Sequence, residues 1–294
     1  MSGSGAVIAY YVHGRGRGHA TRSIPCIAAL QGAGHRVVVH AGRDALGVLN
    51  AAGHAPVEVA SVMPGASSLL KMGQRLVQER QRLKGLAPLV VVTDGDGPPL
   101  HAARTLGIPT VAVGHGAVFR YCELPAGLPK QSLRVERLNV ASATAGADRV
   151  AVAHFLPATP AQDHVRVGRP DLAPELAGPV TREGFLLAYF RDGNGADALA
   201  SAVAQGWRVV CFGRSDTVPE GVERREPSRA DFADHLRRCD GVLGSAGSNL
   251  LAESILLGKP MLALHKARDH EQRLNAALLT RAGVGEGATL DPLP

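Results

Sequence analysis

Aromatic side chains are scarce in this chain: six Phe, four Tyr and one Trp among 294 residues. Proteins that stack nucleic-acid bases need rings interleaved with cations, and here the Lys and Arg are scattered. The net charge of +6 therefore points to small anionic partners such as nucleotides, phosphorylated substrates or acidic headgroups, not to nucleic acid. The four cysteines, Cys26, Cys122, Cys211 and Cys239, include no C-x-x-C pair and sit among apolar or small neighbours. That excludes the usual zinc and dithiol motifs and reads as reduced, structural thiols. No apolar run approaches the ~18 residues of a membrane span, and Met1–Gly5 opens no leader pattern of basic, apolar and cleavage regions. The expected location is cytoplasmic. Charged residues are sparse as well, 20% against 45% hydrophobic, which suits two buried cores of ordinary domain size.

What is present is alternation. Short β-rich runs at Ala6–Val12, Arg36–Ala41, Val57–Ser61, Pro88–Thr93, Thr110–Val113 and Arg149–Ala153 are separated by helical patterns near Thr21–Gly32, Ala45–Ala52 and Leu100–Leu106. The last two helices stop at Gly53 and Gly107, as C-terminal glycines do. From Val165 the composition turns to Pro- and Gly-punctuated sequence, and residues 167–180 read as an interdomain linker. Alternation resumes with strands Phe185–Phe190, Arg208–Phe212, Asp240–Gly244 and Met261–Leu264. Helices near Ala196–Gln205, Arg229–Arg238, Ser248–Leu257 and His270–Ala282 lie between and after them. The pattern predicts an α/β protein with two doubly wound, Rossmann-like domains, 1–166 and 181–294. Gly65–Gly85, with five cations among its apolar residues, reads either as a basic amphipathic helix touching a membrane or anionic acceptor, or as a packed helix with a solvated face. Leu128–Ala145 reads as a helix of open role.

The richest segment is Gly241-Val-Leu-Gly244-Ser245-Ala-Gly247-Ser248-Asn249, continuing to Glu253 and then to Glu271-Gln272. It predicts a strand, a tight small-residue loop and a helix opening. Backbone N–H groups at such an opening, with the positive end of the helix dipole, seat a phosphate or diphosphate. A second glycine-rich loop follows the first strand: His13-Gly14-Arg15-Gly16-Arg17-Gly18-His19. Its spacing is not G-x-G-x-x-G and no acidic residue ends the second strand, which disfavours a dinucleotide domain. Gly258-Lys259-Pro260 likewise lacks the hydroxyl residue of a P-loop.

His19 opens a helix at the carboxyl edge of the predicted sheet. The dipole at a helix N-terminus disfavours imidazolium, and a neutral imidazole is a competent base; the alternative is that His19 merely caps or packs. Asp94 ends the fourth predicted strand on the same edge and is placed to orient His19, while Asp96 serves equally well as a turn and cap residue. His115 stands beside another strand end. His265, Asp269 and His270 invite a metal reading, but no compact ligand spacing supports one, and no metal is expected.

Together, the glycine-loop histidine, Ser245-x-Gly247-x-Asn249-x-x-x-Glu253, Gly258-Lys259-Pro260 and Glu271-Gln272-x-x-Asn275-Ala276 resemble the nucleotide-sugar glycosyltransferases of the GT-B fold. The resemblance is to the branch with the lipid II-forming N-acetylglucosaminyltransferase, plant galactolipid synthases and macrolide or glucuronosyl transferases. It is strongest over about residues 8–24 and 240–285.

The resemblance implies two Rossmann-like domains facing across a cleft, the first for the acceptor and the second for the donor. It places Gly244, Ser245, Gly247, Ser248 and Asn249 against the donor diphosphate, Glu253 on the ribose hydroxyls, and Glu271 with Gln272 on hydroxyls of the sugar. His19 and Asp94 take the catalytic positions, and Gly14, Arg15, Gly16, Arg17, Gly18 and His115 line the phosphate and acceptor side. Ser245 departs from the histidine common in relatives, and Arg15, Arg17 or Arg214 could supply the missing charge. Relatives commonly end in a helix crossing back onto the first domain, whereas this sequence stops at Asp291-Pro-Leu-Pro294, so either that segment is absent from it or the domains are tied together differently.

The expected activity is hexosyl transfer, with inversion, from a nucleoside-diphosphate sugar, with uridine the favoured base, to a hydroxyl of a lipid, natural product or glycan. No cofactor is implied. A GT-B nucleotide-sugar 2-epimerase and a non-catalytic nucleotide-sugar-binding subunit remain as alternatives.

Overall fold

The structure is a computed structural model that describes residues 5–61, 68–171, 174–190, 192–193, 195–213, 218–226 and 228–290. The chain divides into two compact units, Met1–Leu124 with Glu136–Asp171, and Pro125–Val135 with Leu172–Pro294.

The first unit runs β1 (Val7–Val12), α1 (Gly18–Gly32), β2 (Arg36–Ala41), α2 (Asp44–Ala51), β3 (Val57–Glu58), α3 (Ser68–Leu86), β4 (Val90–Asp94), α4 (Gly97–Thr105), β5 (Thr110–Gly114) and α5 (Val118–Tyr121). Then come α6 (Lys130–Thr144), whose first residues group with the second unit, β6 (Arg149–Ala153) and β7 (Val165–Gly168). Its seven strands lie in the order β3-β2-β1-β4-β5-β6-β7, all parallel. Strand alternation sends Ile8, Tyr10 and Val12 into one core with Ile27, Val39 and Leu49, and Ala9 and Tyr11 into another with Leu83, Val91 and Ala102. Both faces are apolar because helices cover both. β7 pairs with β6 as the sheet's edge strand and takes in Val167 and Gly168, the first two residues of the expected linker. An edge strand of four residues followed by Pro carries too little pattern to stand out from loop sequence.

Helix α3 buries Arg75, Glu79 and Leu83, a four-residue repeat down one face, and exposes Leu70 and Val77. Gly65–Ser67 of the segment read there lie outside the described residues. Among the described residues, no helix is long and apolar enough to cross a membrane.

The second unit runs β8 (Phe185–Tyr189), α7 (Ala196–Ala204), β9 (Arg208–Phe212), β10 (Val222–Arg225), α8 (Arg229–Arg238), β11 (Gly241–Ser245), α9 (Ser248–Leu256), β12 (Met261–His265), α10 (His270–Arg281) and β13 (Gly285–Thr289). Its six strands are parallel in the order β10-β9-β8-β11-β12-β13. β10 and β13 went unread in the sequence: Val-Glu-Arg-Arg and Gly-Glu-Gly-Ala-Thr are edge strands with little apolar content.

In each unit the order reverses at the first strand, between β1 and β4 and between β8 and β11. Loops leave such a switch point in opposite directions and open a crevice at the carboxyl ends of the strands, where ligands bind. His19 follows β1 and Asp94 ends β4. The Ser245–Gly247 turn follows β11.

Candidate active site

In the first unit β1 and β4 pair with Val12 opposite Asp94, and the His13 N–H donates to the Asp94 carbonyl at 2.9 Å. The chain then loops and enters α1 at Gly18, which returns His19 over the end of β4. His19 Nδ1 lies 2.7 Å from Asp94 Oδ1, the pairing expected from the sequence.

Two neighbours on the same helix face join it. Arg22 Nε donates to Asp94 Oδ2 at 3.0 Å and Arg22 Nη2 to Oδ1 at 2.6 Å. Ser23 Oγ donates to Oδ2 at 3.1 Å. Asp94 is fully buried. Burial alone would raise its carboxyl, but the Arg22 guanidinium and His19 overrule it and hold the group well below the usual carboxylate range. Arg22 and Ser23 had no assigned role in the sequence. Their spacing of three and four residues from His19 is the signal that could have found them.

The ring is also held from beneath. Gly95 adopts φ +77°, and a Cβ there would stand 2.7 Å from His19 Cε1. Only glycine therefore fits the turn that cups the imidazole. His13 packs at 5.5 Å between ring centroids and accepts the Arg15 N–H on Nδ1 at 3.1 Å, which bends the loop.

Asp96 does not cap α4 with its side chain. Its carboxylate takes Arg75 Nη2 at 2.9 Å, while Arg75 Nε donates to the buried Glu79 at 2.6 Å. Burial pushes Asp96 up to about 6 against the pull of Arg75.

The glycine loop around Arg15 is occupied by the protein's own anion. The Gly16 N–H donates to Asp44 Oδ2 at 2.9 Å, and the Asp44 N–H returns to the Gly14 carbonyl at 3.3 Å. Gly14 is required by packing, since a Cβ there would meet Ser61 Oγ at 2.2 Å and the Gly42 carbonyl at 2.5 Å. Arg15, Arg17 and Gly18 are exposed. His115 is buried, stacked on His154 at 4.8 Å and edge-on to Phe119. Burial and the neighbouring His115 lower the His154 imidazole to about 3.

In the second unit β11 delivers Gly244 and Ser245 to a turn in which the Gly247 N–H donates to the Ser245 carbonyl at 2.7 Å. Gly247 is the N-cap of α9 and places no side chain over its first turn. Ser248 and Asn249 open the first turn of α9, at the positive end of the helix dipole. Asn275 Nδ2 donates to the Ala246 carbonyl at 3.0 Å and, with the Ala246 N–H on the Leu264 carbonyl at 2.9 Å, pins the turn.

Glu253, just over a turn in, is engaged by Arg229, for which the sequence pattern gives no signal. Arg229 Nη2 donates to Oε1 at 2.8 Å and Nη1 to Oε2 at 3.3 Å. Glu271 is exposed in the first turn of α10, while Gln272 is buried and its N–H is capped by Asp269 Oδ1 at 3.1 Å. Arg214 lies outside the described residues. Lys259 lies away from this loop, its ammonium donating to the Thr181 and Cys239 carbonyls at 2.5 and 2.6 Å as an internal clasp. His265 Nδ1 faces the Lys266 carbonyl and His270 Nδ1 faces Ser132 Oγ. Among the described residues no three metal-ligating side chains gather.

Solved structures share this architecture. The glycotransferase of kitacinnamycin superposes with a TM-score of 0.65 at 18% identity, over 99% of this chain and 88% of that one. The spinosyn rhamnosyltransferase SpnG, solved with thymidine diphosphate, gives 0.61 at 17% identity over 96% and 86%. A UDP-N-acetylglucosamine 2-epimerase gives 0.62 at 18% identity over 97% and 84%. No curated protein matches the chain. The model of Glycosyl transferase family 1 matches residues 6–293. The chain belongs to Glycosyl transferase family 1 and has the GT-B fold.

Proposed function

We propose that this protein transfers a hexosyl group from a nucleoside-diphosphate sugar to an acceptor hydroxyl, inverting the anomeric centre, with His19 as general base and no metal or cofactor. The observation that carries this reading is the 2.7 Å pairing of His19 Nδ1 with the buried Asp94. A contact that short between a ring nitrogen and an ionised carboxylate needs the proton between them, on Nδ1. In the neutral ring Nε2 then carries the lone pair.

In the proposed step, Nε2 takes the acceptor proton as the acceptor oxygen attacks the anomeric carbon. The bond to the diphosphate oxygen breaks with its electron pair, and Asp94 steadies the imidazolium. The first-turn N–H groups of α9 receive the departing negative charge, with the helix dipole behind them. Glu253 accepts from the ribose diol, and Glu271 with Gln272 reads sugar hydroxyls. Uridine is the base favoured by the sequence resemblance. The thymidine diphosphate in the spinosyn rhamnosyltransferase makes thymidine its competitor. The likeness to a UDP-N-acetylglucosamine 2-epimerase supports a second reading, in which acid and base groups act on the donor sugar itself.

A thermal-shift screen of UDP-, TDP- and GDP-sugars, followed by incubation of the best donor with and without a panel of hydroxyl acceptors, tests both readings. Transfer that needs an acceptor supports the transferase. Epimerised sugar from donor alone supports the second reading, and no stabilisation by any nucleotide removes both.

A further inference from the structure

The buried cation beside the proposed base is a feature to which the proposed reaction assigns no part. Arg22 is buried on α1 and directs two nitrogens at the two oxygens of Asp94, Nη2 to Oδ1 at 2.6 Å and Nε to Oδ2 at 3.0 Å. Its Nη2 also stands 3.1 Å from His19 Nδ1. Guanidinium nitrogens only donate, and the Nδ1 proton is directed at Asp94, so this last contact is no hydrogen bond between the two. It arises because both donors converge on one oxygen, Oδ1.

A carboxylate held by a single imidazole can rotate about its Cβ–Cγ bond and offer either oxygen. One clamped by a planar fork cannot. Ser23 Oγ closes the last direction on Oδ2 at 3.1 Å. The fork also supplies the positive charge that a fully buried carboxylate requires if it is to stay ionised.

We propose that Arg22 is a positioning residue for the base: by gripping both oxygens of Asp94 it keeps that carboxylate ionised and turned so that Oδ1 holds the proton on His19 Nδ1, which leaves Nε2 as the acceptor. The other titratable groups that face Asp94 are Tyr10 on β1 and Cys26 on α1. His13 and Asp96 face His19 from the loops after β1 and β4. None of these offers the carboxylate a fixed cation, so the role falls to Arg22.

The role in catalysis rests on His19 being the base, whereas the positioning itself is readable without turnover. The test is nitrogen NMR on protein labelled at histidine, with the His19 signals assigned from His19→Gln, together with carbon NMR of the Asp94 carboxyl. In the wild type His19 is expected as the Nδ1–H tautomer with Asp94 ionised at neutral pH. Arg22→Met keeps an apolar stem and removes the fork. There Asp94 is expected to hold a proton at neutral pH and His19 to show a mixture of tautomers. With an active donor and acceptor pair, turnover is expected to fall about 10²-fold or more at unchanged donor Kd.

Arg22→Lys returns the charge without the fork. It should restore the ionised Asp94 but only part of the Nδ1–H population. If Arg22→Met does not fold, Arg22→Lys alone decides, because an unchanged tautomer population there overturns the inference. A folded Arg22→Met protein with wild-type tautomer and ionised Asp94 overturns it as well. Altered tautomers in a protein that proves to transfer nothing would leave the positioning intact and remove the proposed function instead.

Discussion

Arg229 and Glu253 meet end to end, Nη2 on Oε1 at 2.8 Å and Nη1 on Oε2 at 3.3 Å, with the carboxylate nearly buried and the guanidinium about one-third exposed. Glu253 is thus held in one orientation, just over a turn into α9, by a residue 24 positions earlier in the chain. A carboxylate has about four lone-pair directions, and Arg229 uses one on each oxygen, so two remain for a vicinal diol.

Removing this carboxylate is expected to weaken nucleoside diphosphate binding. Hydrogen bonds to a charged group contribute about 1.5–3 kcal/mol, so Glu253→Ala should lower affinity for UDP or TDP by about 10-fold or more. Arg229→Ala should cost less, because the carboxylate survives but loses its fixed direction. Isothermal calorimetry on both variants checks this, and unaltered affinity in Glu253→Ala would count against the ribose assignment.

Replacing the proposed base separates binding from chemistry. His19→Ala is expected to leave the donor Kd within about twofold of wild type while lowering transfer by about 10²- to 10⁴-fold. A variant with wild-type transfer rates would end the base assignment.

The glycine beneath the ring offers a test that leaves every charged group in place. Gly95→Ala places a methyl 2.7 Å from His19 Cε1 on a residue at φ +77°, so the imidazole must shift or the turn must open. Turnover should drop at least about 10-fold with donor affinity retained. Turnover equal to wild type would show that the ring has room to spare.

Breaking the pair under the base should also be costly to the fold. Asp94→Ala leaves Arg22 buried with its main counter-ion gone, a change that typically costs about 3–5 kcal/mol. Urea unfolding measures it. The double variant Arg22→Met with Asp94→Ala should recover part of the loss, and strict additivity would contradict direct coupling.

Two buried imidazoles set an acid limit on stability. Burial lowers His40 to about 4 and His154 to about 3, whereas an unfolded histidine takes its proton near pH ~6.5. Between those values the unfolded chain binds more protons than the folded one. The contribution of these two residues is therefore full above about pH 6.5 and falls with pH by roughly 1.4 kcal/mol per unit for each, while the Asp96 carboxyl, raised to about 6, offsets part of that loss below pH 6. Urea midpoints at pH 7, 6 and 5 should decline accordingly, and His40→Gln should flatten the slope. A flat wild-type profile would mean that these rings reach water.

Local pattern sufficed for what depends on local physics. Arg36–Ala41, Arg149–Ala153, Arg208–Phe212 and Arg229–Arg238 have the same ends in sequence and structure, because each is a run whose own apolar spacing and flanking breakers define it. The helix openings at His19 and Ser248, and Asp94 at a strand end, were legible for the same reason.

Other features depend on residues far apart in the chain. The edge strands β7, β10 and β13 exist because a neighbouring strand already presents unpaired N–H and C=O groups, not because their own side chains demand it. That Asp44 fills the glycine loop, that Arg22 forks onto Asp94 across 72 positions, and that Arg229 meets Glu253 are likewise choices among many possible ion partners. Sequence by itself determined the α/β alternation and the small-residue turns that precede the helices, since both arise from backbone conformation within a few residues. Tertiary structure alone decided which cation satisfies each carboxylate, because that choice is made by distance and desolvation after the sheets have assembled.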